Sequence, residues 1–326
     1  MTTAAHAAAT RVVAGLATFG VILRPWKVPE AVWAVAGAFA LVACGLLPIS
    51  DGLRAIAKGT DVYLFLGGMM LLSEVARGEG LFDILASLAV RVASGSASRL
   101  FLLVYALGAV VTIFMSNDAT AVVLTPAVYA VAKKAGARPL PYLFACALIA
   151  NAASFVLPIS NPANLVVFGS HPPPLLDWLR QFTLASVVSI AATFIVLRWY
   201  FRKPLSGRVK TGSMPAPMSR TGGIAAWGIV GVAVVLLIAS SLDMQLGLPT
   251  SIASALVAAT VFLFKKQSPW STLGHVSWSV LLLVAGLFVL VAGLESTGVV
   301  TELAGALRQA TSSSERWAAG GAGAVI

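Results

Sequence analysis

Apolar residues fall in continuous runs along this chain, at about 12–23, 30–47, 61–76, 100–115, 119–132, 140–157, 165–169, 178–200, 223–241, 248–264 and 278–294. The runs do not alternate with a period of two, so they predict helices and not the strands of a barrel. Most approach the roughly 20 residues that cross a hydrocarbon core. The first run follows Arg11 and leads into Arg24-Pro25-Trp26-Lys27 without a small-residue cleavage site, so it reads as a span and not as a secretory leader. A polar stretch over 201–222, carrying Arg202, Lys203, Arg208, Lys210 and Arg220, is the one long break in the pattern and divides the chain in two.

The two parts repeat. Asp61–Ala86 aligns with Ser279–Ala304 without a gap, at an offset of 218 residues. The alignment matches Val62 with Val280, Leu64 with Leu282, Gly68 with Gly286, Leu72 with Leu290, Gly80 with Gly298 and Leu85 with Leu303. A weaker match sets Arg99 against Arg316. Apolar helices resemble one another by chance, so the glycine pairs carry the argument. Residues 81–92 place Asp83, Ser87 and Arg91 on one stripe, with Leu81, Ile84, Leu85, Leu88 and Val92 opposite. These 12 residues are too few to cross, and the helix is expected to lie in the interface.

If that helix does not cross, and 100–132 is a hairpin returning to its starting side, the repeats take opposite orientations. The basic residues alone do not choose this topology; the amphipathic pattern does. The predicted fold is an all-α integral membrane protein, an inverted-repeat transporter with a re-entrant hairpin and a broken transmembrane helix. Its parts are scaffold helices over 1–60, a first repeat over 61–200, a basic cytoplasmic linker over 201–222 and a second repeat over 223–326. The offset puts a second hairpin near position 333, so the second repeat is expected to be truncated here and the gene product to be longer.

Composition narrows the class. Of the 326 residues 59% are hydrophobic and 10% charged, against roughly 25% charged in a soluble domain. Such a chain needs the lipid bilayer as its solvent. A net charge of +10 would suit nucleic acid, but the basic residues sit between apolar runs, as the positive-inside rule places them in a multi-pass protein of a bacterial-type inner membrane. No nucleic acid is expected as a partner. Cys44 and Cys146 lie in apolar runs with no disulfide framework or metal spacing, and read as small buried hydrophobes. The tryptophans read as interface anchors, Glu74 and Glu295 as interfacial acids, and His171, just before three prolines, as a turn residue.

Two polar interruptions carry the candidate chemistry. Ser116-Asn117-Asp118 stands between apolar arms of about 15 residues, with Arg91 and Arg99 before and Lys133, Lys134 and Arg138 after. Arms too short to cross, with basic flanks on both sides, predict a re-entrant hairpin whose tip lies near the midplane. Asn and Asp are strong N-caps, so the second arm is expected to begin there with free N–H groups. The second interruption, Pro158-Ile159-Ser160-Asn161-Pro162-Ala163-Asn164, reads as a helix broken over 140–169 and restarted with Asn161 as N-cap and Pro162 as first helical residue. Two half-helix N-termini at one depth would suit an anion or a polar oxyacid. A single Asn or Ser in a span is ordinarily packing glue, but here several cluster with Asp118, an ionisable group that is costly in a span. Candidate substrate-binding residues are Ser116, Asn117, Asp118, Thr120, Asn151, Ser160, Asn161 and Asn164, with Asp118 also the coupling residue. No catalytic or metal-ligating residue is expected, and no cofactor beyond a proton or sodium gradient.

The hairpin Met115–Pro126 and the broken helix Ile149–Val167 resemble those of ArsB-type arsenite efflux permeases. These belong to an ion-transporter superfamily with NhaD-type sodium/proton antiporters, citrate permeases and divalent-anion/sodium symporters. The tip resembles the Ser-Asn-Thr of the anion symporters, with Asp118 in place of Thr. Where ArsB permeases commonly carry Asp, this chain has Asn151. The resemblance implies an elevator mechanism, in which hairpin and broken helix move together against a scaffold. It also implies an arsenite-delivering ATPase subunit and a second copy of the chain as partners.

A channel is the first rival, since Asn161-Pro162-Ala163 spells the tripeptide of aquaporin half-helices, but the tripeptide occurs once and the spans are too many. An intramembrane enzyme would need clusters with acid/base or ligand spacing, and the sequence has none. The expectation is export of arsenite or antimonite driven by proton influx. Neither break contains Arg or Lys to pair with a dicarboxylate, which favours neutral arsenous acid over the alternatives, a sodium- or proton-coupled carboxylate or anion carrier or a sodium/proton antiporter.

Overall fold

The apolar runs fold as helices, and polar or glycine-containing segments end them. The computed structural model of the protein describes residues 3–168, 173–210, 217–265, 268–302 and 305. His171, Leu303 and Arg316 lie outside these residues. In chain order the α-helices are α1 (Thr3–Leu23), α2 (Glu30–Ala43), α3 (Ile49–Lys58), α4 (Thr60–Gly78) and α5 (Leu81–Val92); then α6 (Ala97–Phe114), α7 (Thr125–Lys134), α8 (Leu140–Ala152), α9 (Pro162–Phe168) and α10 (Leu175–Tyr200); and finally α11 (Arg202–Leu205), α12 (Arg220–Ser241), α13 (Gly247–Lys265), α14 (Pro269–Leu273) and α15 (Ser279–Ser296). Among the described residues there is no strand, only an isolated bridge between Ser96 and Arg208. Six of the described helices, α1, α6, α10, α12, α13 and α15, are by themselves long and apolar enough to cross a bilayer. The protein is an all-helical, multi-pass membrane protein.

The chain forms two compact units, Met1–Gly59 with Trp278–Ile326, and Thr60–Ser277. In the first, α15 lies along α2, and Leu41, Leu47, Val289 and Leu290 are core residues. Gly286 makes the contact close: a Cβ there would stand 2.7 Å from the Ala34 carbonyl carbon. Two turns on, Gly293 meets Leu41 in the same way. Small residues let helix backbones approach in lipid, where no hydrophobic force drives them together.

In the second unit α4 lies along α13 on the same principle. Asp61 at the start of α4 accepts from the Gly247 N–H at 2.7 Å, and a Cβ on Gly68 would stand 2.9 Å from Ser251 Cα. Beyond the far end of α4, Glu79 is 2.8 Å from Lys265 Nζ. Successive contacts advance together, so α4 and α13 run parallel, as α2 and α15 do. Gly80 and Gly298 follow α4 and α15 with φ of +70° and +74°, a left-handed conformation that side chains resist. Their N–H groups bond the Arg77 and Glu295 carbonyls, each three residues back.

Helix α5 has both ends beside the linker. The Val209 N–H bonds the Gly95 carbonyl at 2.9 Å, and Ser219 and Thr221 donate to Glu79. Lys210 N–H bonds Ala135 at 2.8 Å, so the end of α7 lies by the linker as well. The apolar residues of α5 divide between protein and surface. Leu81, Phe82, Ala86, Ala89 and Val90 are buried against its neighbours, whereas Leu88 and Val92 are exposed. A membrane helix has three environments to meet, and a two-way polar/apolar division merges protein with lipid. Two expectations fail for this reason: Cys44 is exposed and Trp178 is fully buried. Glu74, near the end of α4, is buried with Arg77 bonded to its carboxylate.

Candidate functional site

The hairpin begins one turn earlier than its apolar run. Ser96 caps α6, its Oγ accepting from the Arg99 N–H at 3.3 Å, so the first arm has 18 residues and is long enough to cross, contrary to expectation. It ends where Ser116 takes φ +139°, a strained value for a non-glycine residue. The chain then reverses, and helix resumes at Asn117. The cap is Ser116 rather than Asn117 or Asp118: its Oγ accepts from the Ala119 N–H at 3.4 Å. Over Ala119–Leu124 the returning arm is π-helix, and the Thr125 hydroxyl donates to the Thr120 carbonyl at 2.8 Å across the widened turn. Such windings concentrate at functional sites.

Thr120 closes the hairpin. It is fully buried, its hydroxyl donates to the Gly108 carbonyl at 3.3 Å, and the Thr112 hydroxyl is 2.8 Å away. With its one proton given to Gly108, Thr120 accepts from Thr112. Its side chain therefore joins the two arms.

At the second break, α8 stops at Ala152, a 3₁₀ turn covers Pro158–Ser160, and α9 starts at Pro162. Asn161 is extended and its Oδ1 accepts from the Ala163 N–H at 2.9 Å, the N-cap the sequence predicts. Breaking a helix in a membrane frees carbonyls that need donors. Asn164, buried, supplies them: its Nδ2 is 2.9 Å from the Ser154 oxygen, 3.3 Å from Pro158 and 3.5 Å from Leu157. Trp178 Nε1 donates to the Phe155 carbonyl at 3.0 Å. Ser160, also fully buried, accepts from the Leu157 N–H and donates to the Ile113 carbonyl, both at 3.1 Å. Ile113 is three residues before the hairpin tip, so this bond fastens one break to the other.

The eight candidate residues thus divide. Ser116, Thr120, Ser160 and Asn164 hold the backbone in shape. Asn117 Oδ1 is buried without a hydrogen-bond partner, and Asp118 is exposed with no hydrogen bond or ion pair among the described residues. Asn161 is half-buried, with its oxygen on its own helix. Asn151 is exposed on the last turn of α8, where the second break begins: its amide donates to the Ala147 carbonyl at 3.2 Å and its own carbonyl accepts from the Ser154 N–H at 3.1 Å. Cys146 is fully buried in the same helix. Among the described residues no group of three His, Cys, Asp or Glu side chains could hold a metal ion. What the two breaks offer is hydrogen bonding from amides, hydroxyls and backbone, with one carboxylate. Sequence reasoning missed Trp178 and the Glu74–Arg77 pair; the i, i+3 spacing of that pair was its only visible signal.

Comparison with known proteins gives a family match and three relatives. The model of a family described as citrate transporter (CitMHS) matches residues 18–326. An uncharacterised transporter of Synechocystis sp. is 24% identical over 284 residues, covering 85% of this chain and 63% of its own length. One from Mycobacterium tuberculosis is 26% identical over 290 residues, 84% of this chain and 65% of that protein. The arsenical pump membrane protein of Escherichia coli K12 is 26% identical over 247 residues, 73% of this chain and 58% of that protein. The chain spans less than two thirds of the length of each of these relatives.

Proposed function

The chain belongs to the citrate transporter family, a family of transporters and not of enzymes, and we propose that it is a secondary active carrier exporting arsenite or antimonite in exchange for protons. The observation that carries this reading is the Ser160–Ile113 bond, which joins two interrupted helices around an unpaired amide oxygen on Asn117 and a free carboxylate on Asp118. Arsenous acid is an uncharged trihydroxide at neutral pH, and amide groups and half-helix N–H groups match its donors and acceptors. A dicarboxylate would call for a cation, and residues 115–118 and 153–164 contain no Arg or Lys. The arsenical pump relative supports the same substrate.

An alternating-access carrier of this class is built from repeats, and the helix contacts support one here. At the 218-residue offset Gly68 corresponds to Gly286, and the residue facing each, Ser251 and Ala34, corresponds to within one position. Helix α13 is to α4 as α2 is to α15, and α12 and α14 take the places of α1 and α3. On this reading the repeat starts at α1, ahead of residue 61. The hairpin and broken helix, joined by Ser160, would move as one transport element. A carrier of citrate-like carboxylates is the second reading, favoured by the family's description.

The test is uptake into everted vesicles containing the intact protein. Arsenite accumulation that follows an imposed pH gradient, and disappears in Asp118→Asn while the protein still inserts, is the expected result. Sodium-dependent uptake of labelled citrate or succinate without arsenite movement would transfer the assignment to the second reading. Normal accumulation by Asp118→Asn would move the coupling group elsewhere.

A further inference from the structure

A cavity of about 430 Å³ in the second unit gathers charge beside the returning arm of the hairpin. Glu74 and Arg77 of α4, Asp83 of α5 and His275 after α14 line it, together with Val122 and Pro126 of the arm. A recess of about 160 Å³ shares Glu74, Arg77 and His275 and extends to Glu79 and Lys265. Linker residues Ser219 and Thr221 bond that same Glu79, so the cavity lies at the end of α4 that meets the linker. Glu74 is buried and held through both oxygens by Arg77, one bond being 2.8 Å from Nε.

His275 is exposed, and its Nδ1 lies 2.6 Å from the Ser271 carbonyl oxygen. A carbonyl can only accept, so Nδ1 carries the proton and Nε2 the lone pair. His275 is a base held in one tautomer at the wall of a charged cavity. Val122 and Pro126 follow Asp118 by four and eight positions, and all three are exposed. At that spacing they form one stripe on the arm, so the cavity lies against the face that carries Asp118.

We infer that this cavity is the water-filled path through which Asp118 exchanges its proton with bulk solvent, with His275 Nε2 as the relay. The inference rests on the reading of Asp118 as the coupling carboxylate. The space accommodates on the order of ten waters. Protonated Asp118 releases its proton to the water chain, the far end of that chain protonates Nε2, and the imidazolium passes a proton to bulk water. Asp118 ends as carboxylate and His275 as neutral imidazole, one proton having moved. The charged groups facing His275 are Glu74 and Arg77 from α4, Asp83 from α5, Glu79, and Lys265 from α13. Arg77 is paired with Glu74, and Lys265 with Glu79.

Two measurements test it. In proton-driven uptake, His275→Ala should slow transport by roughly an order of magnitude at neutral pH and flatten its dependence between about pH 6 and 8, and added imidazole should restore the rate. Separately, Val122→Cys in a Cys44→Ser background should react with a charged, membrane-impermeant thiol reagent applied from the linker side. An unchanged rate and pH profile in His275→Ala, with Asp118→Asn inactive, would overturn the relay and leave the coupling reading standing. A Val122→Cys that reacts only with a lipid-soluble reagent would overturn the water path. Proton-independent uptake by the wild-type protein would instead remove the coupling reading, and the relay with it.

Discussion

Asn117 and Asn164 carry the same amide and stand in opposite circumstances. Asn164 gives its N–H groups to carbonyls freed by the broken helix, whereas Asn117 keeps a buried oxygen unpaired. Asn164→Ala should lower the stability of the detergent-solubilised protein by roughly 2–3 kcal/mol, because buried carbonyls lose their donor. Asn164→Asp should not rescue it, an ionised carboxylate having no N–H. Asn117→Ala should leave thermal unfolding unchanged or slightly raised, since it removes an unsatisfied group, while weakening substrate binding. Paired thermal melts and substrate titrations of the variants check both. At this scale the sequence displayed the polar residues of both breaks. It did not display which way they face, because Asn164 and Asn117 differ only in the neighbours that folding brings to them.

Among elements, the glycine contacts make the sharpest expectation. Gly67 and Gly68 are adjacent on α4, yet a Cβ on Gly67 meets open space and one on Gly68 meets the Ser251 backbone. Gly68→Val should therefore separate α4 from α13 and lower both yield and melting temperature. Gly67→Ala should be neutral or stabilising by up to about 1 kcal/mol, from helix propensity. Gly286→Val should act on α15 and α2 as Gly68→Val acts on α4 and α13. Melting curves of the three variants decide it. The pairing of Gly68 with Gly286 was visible in the sequence because close packing admits only the smallest residue. The buried face of α5 was not visible, since lipid and protein interior both accept Leu and Val.

For the whole molecule, Glu79 fastens the linker end of α12 to the ends of α4 and α13 through Thr221, Ser219 and Lys265. Burial pushes its carboxyl up, but the Lys265 ammonium and the two hydroxyls outweigh that and hold it below the ordinary carboxylate range. A lowered folded-state value means the contribution is present above the unfolded value of about 4.3 and is lost as pH falls through the lower folded value. Melting temperature should thus fall on acidification below about pH 4.3, and fall less in Glu79→Gln, as a pH series of thermal melts would show. The sequence by itself determined the solvent, the helices, the two breaks and the glycine pairs, because hydropathy, capping and side-chain size are properties of residues and their near neighbours. Tertiary structure alone decided that Ser160 ties the breaks together, that Asn164 turns inward, and that Glu74 and His275 share a cavity. Those outcomes depend on contacts between residues tens to hundreds of positions apart, and no local pattern encodes them.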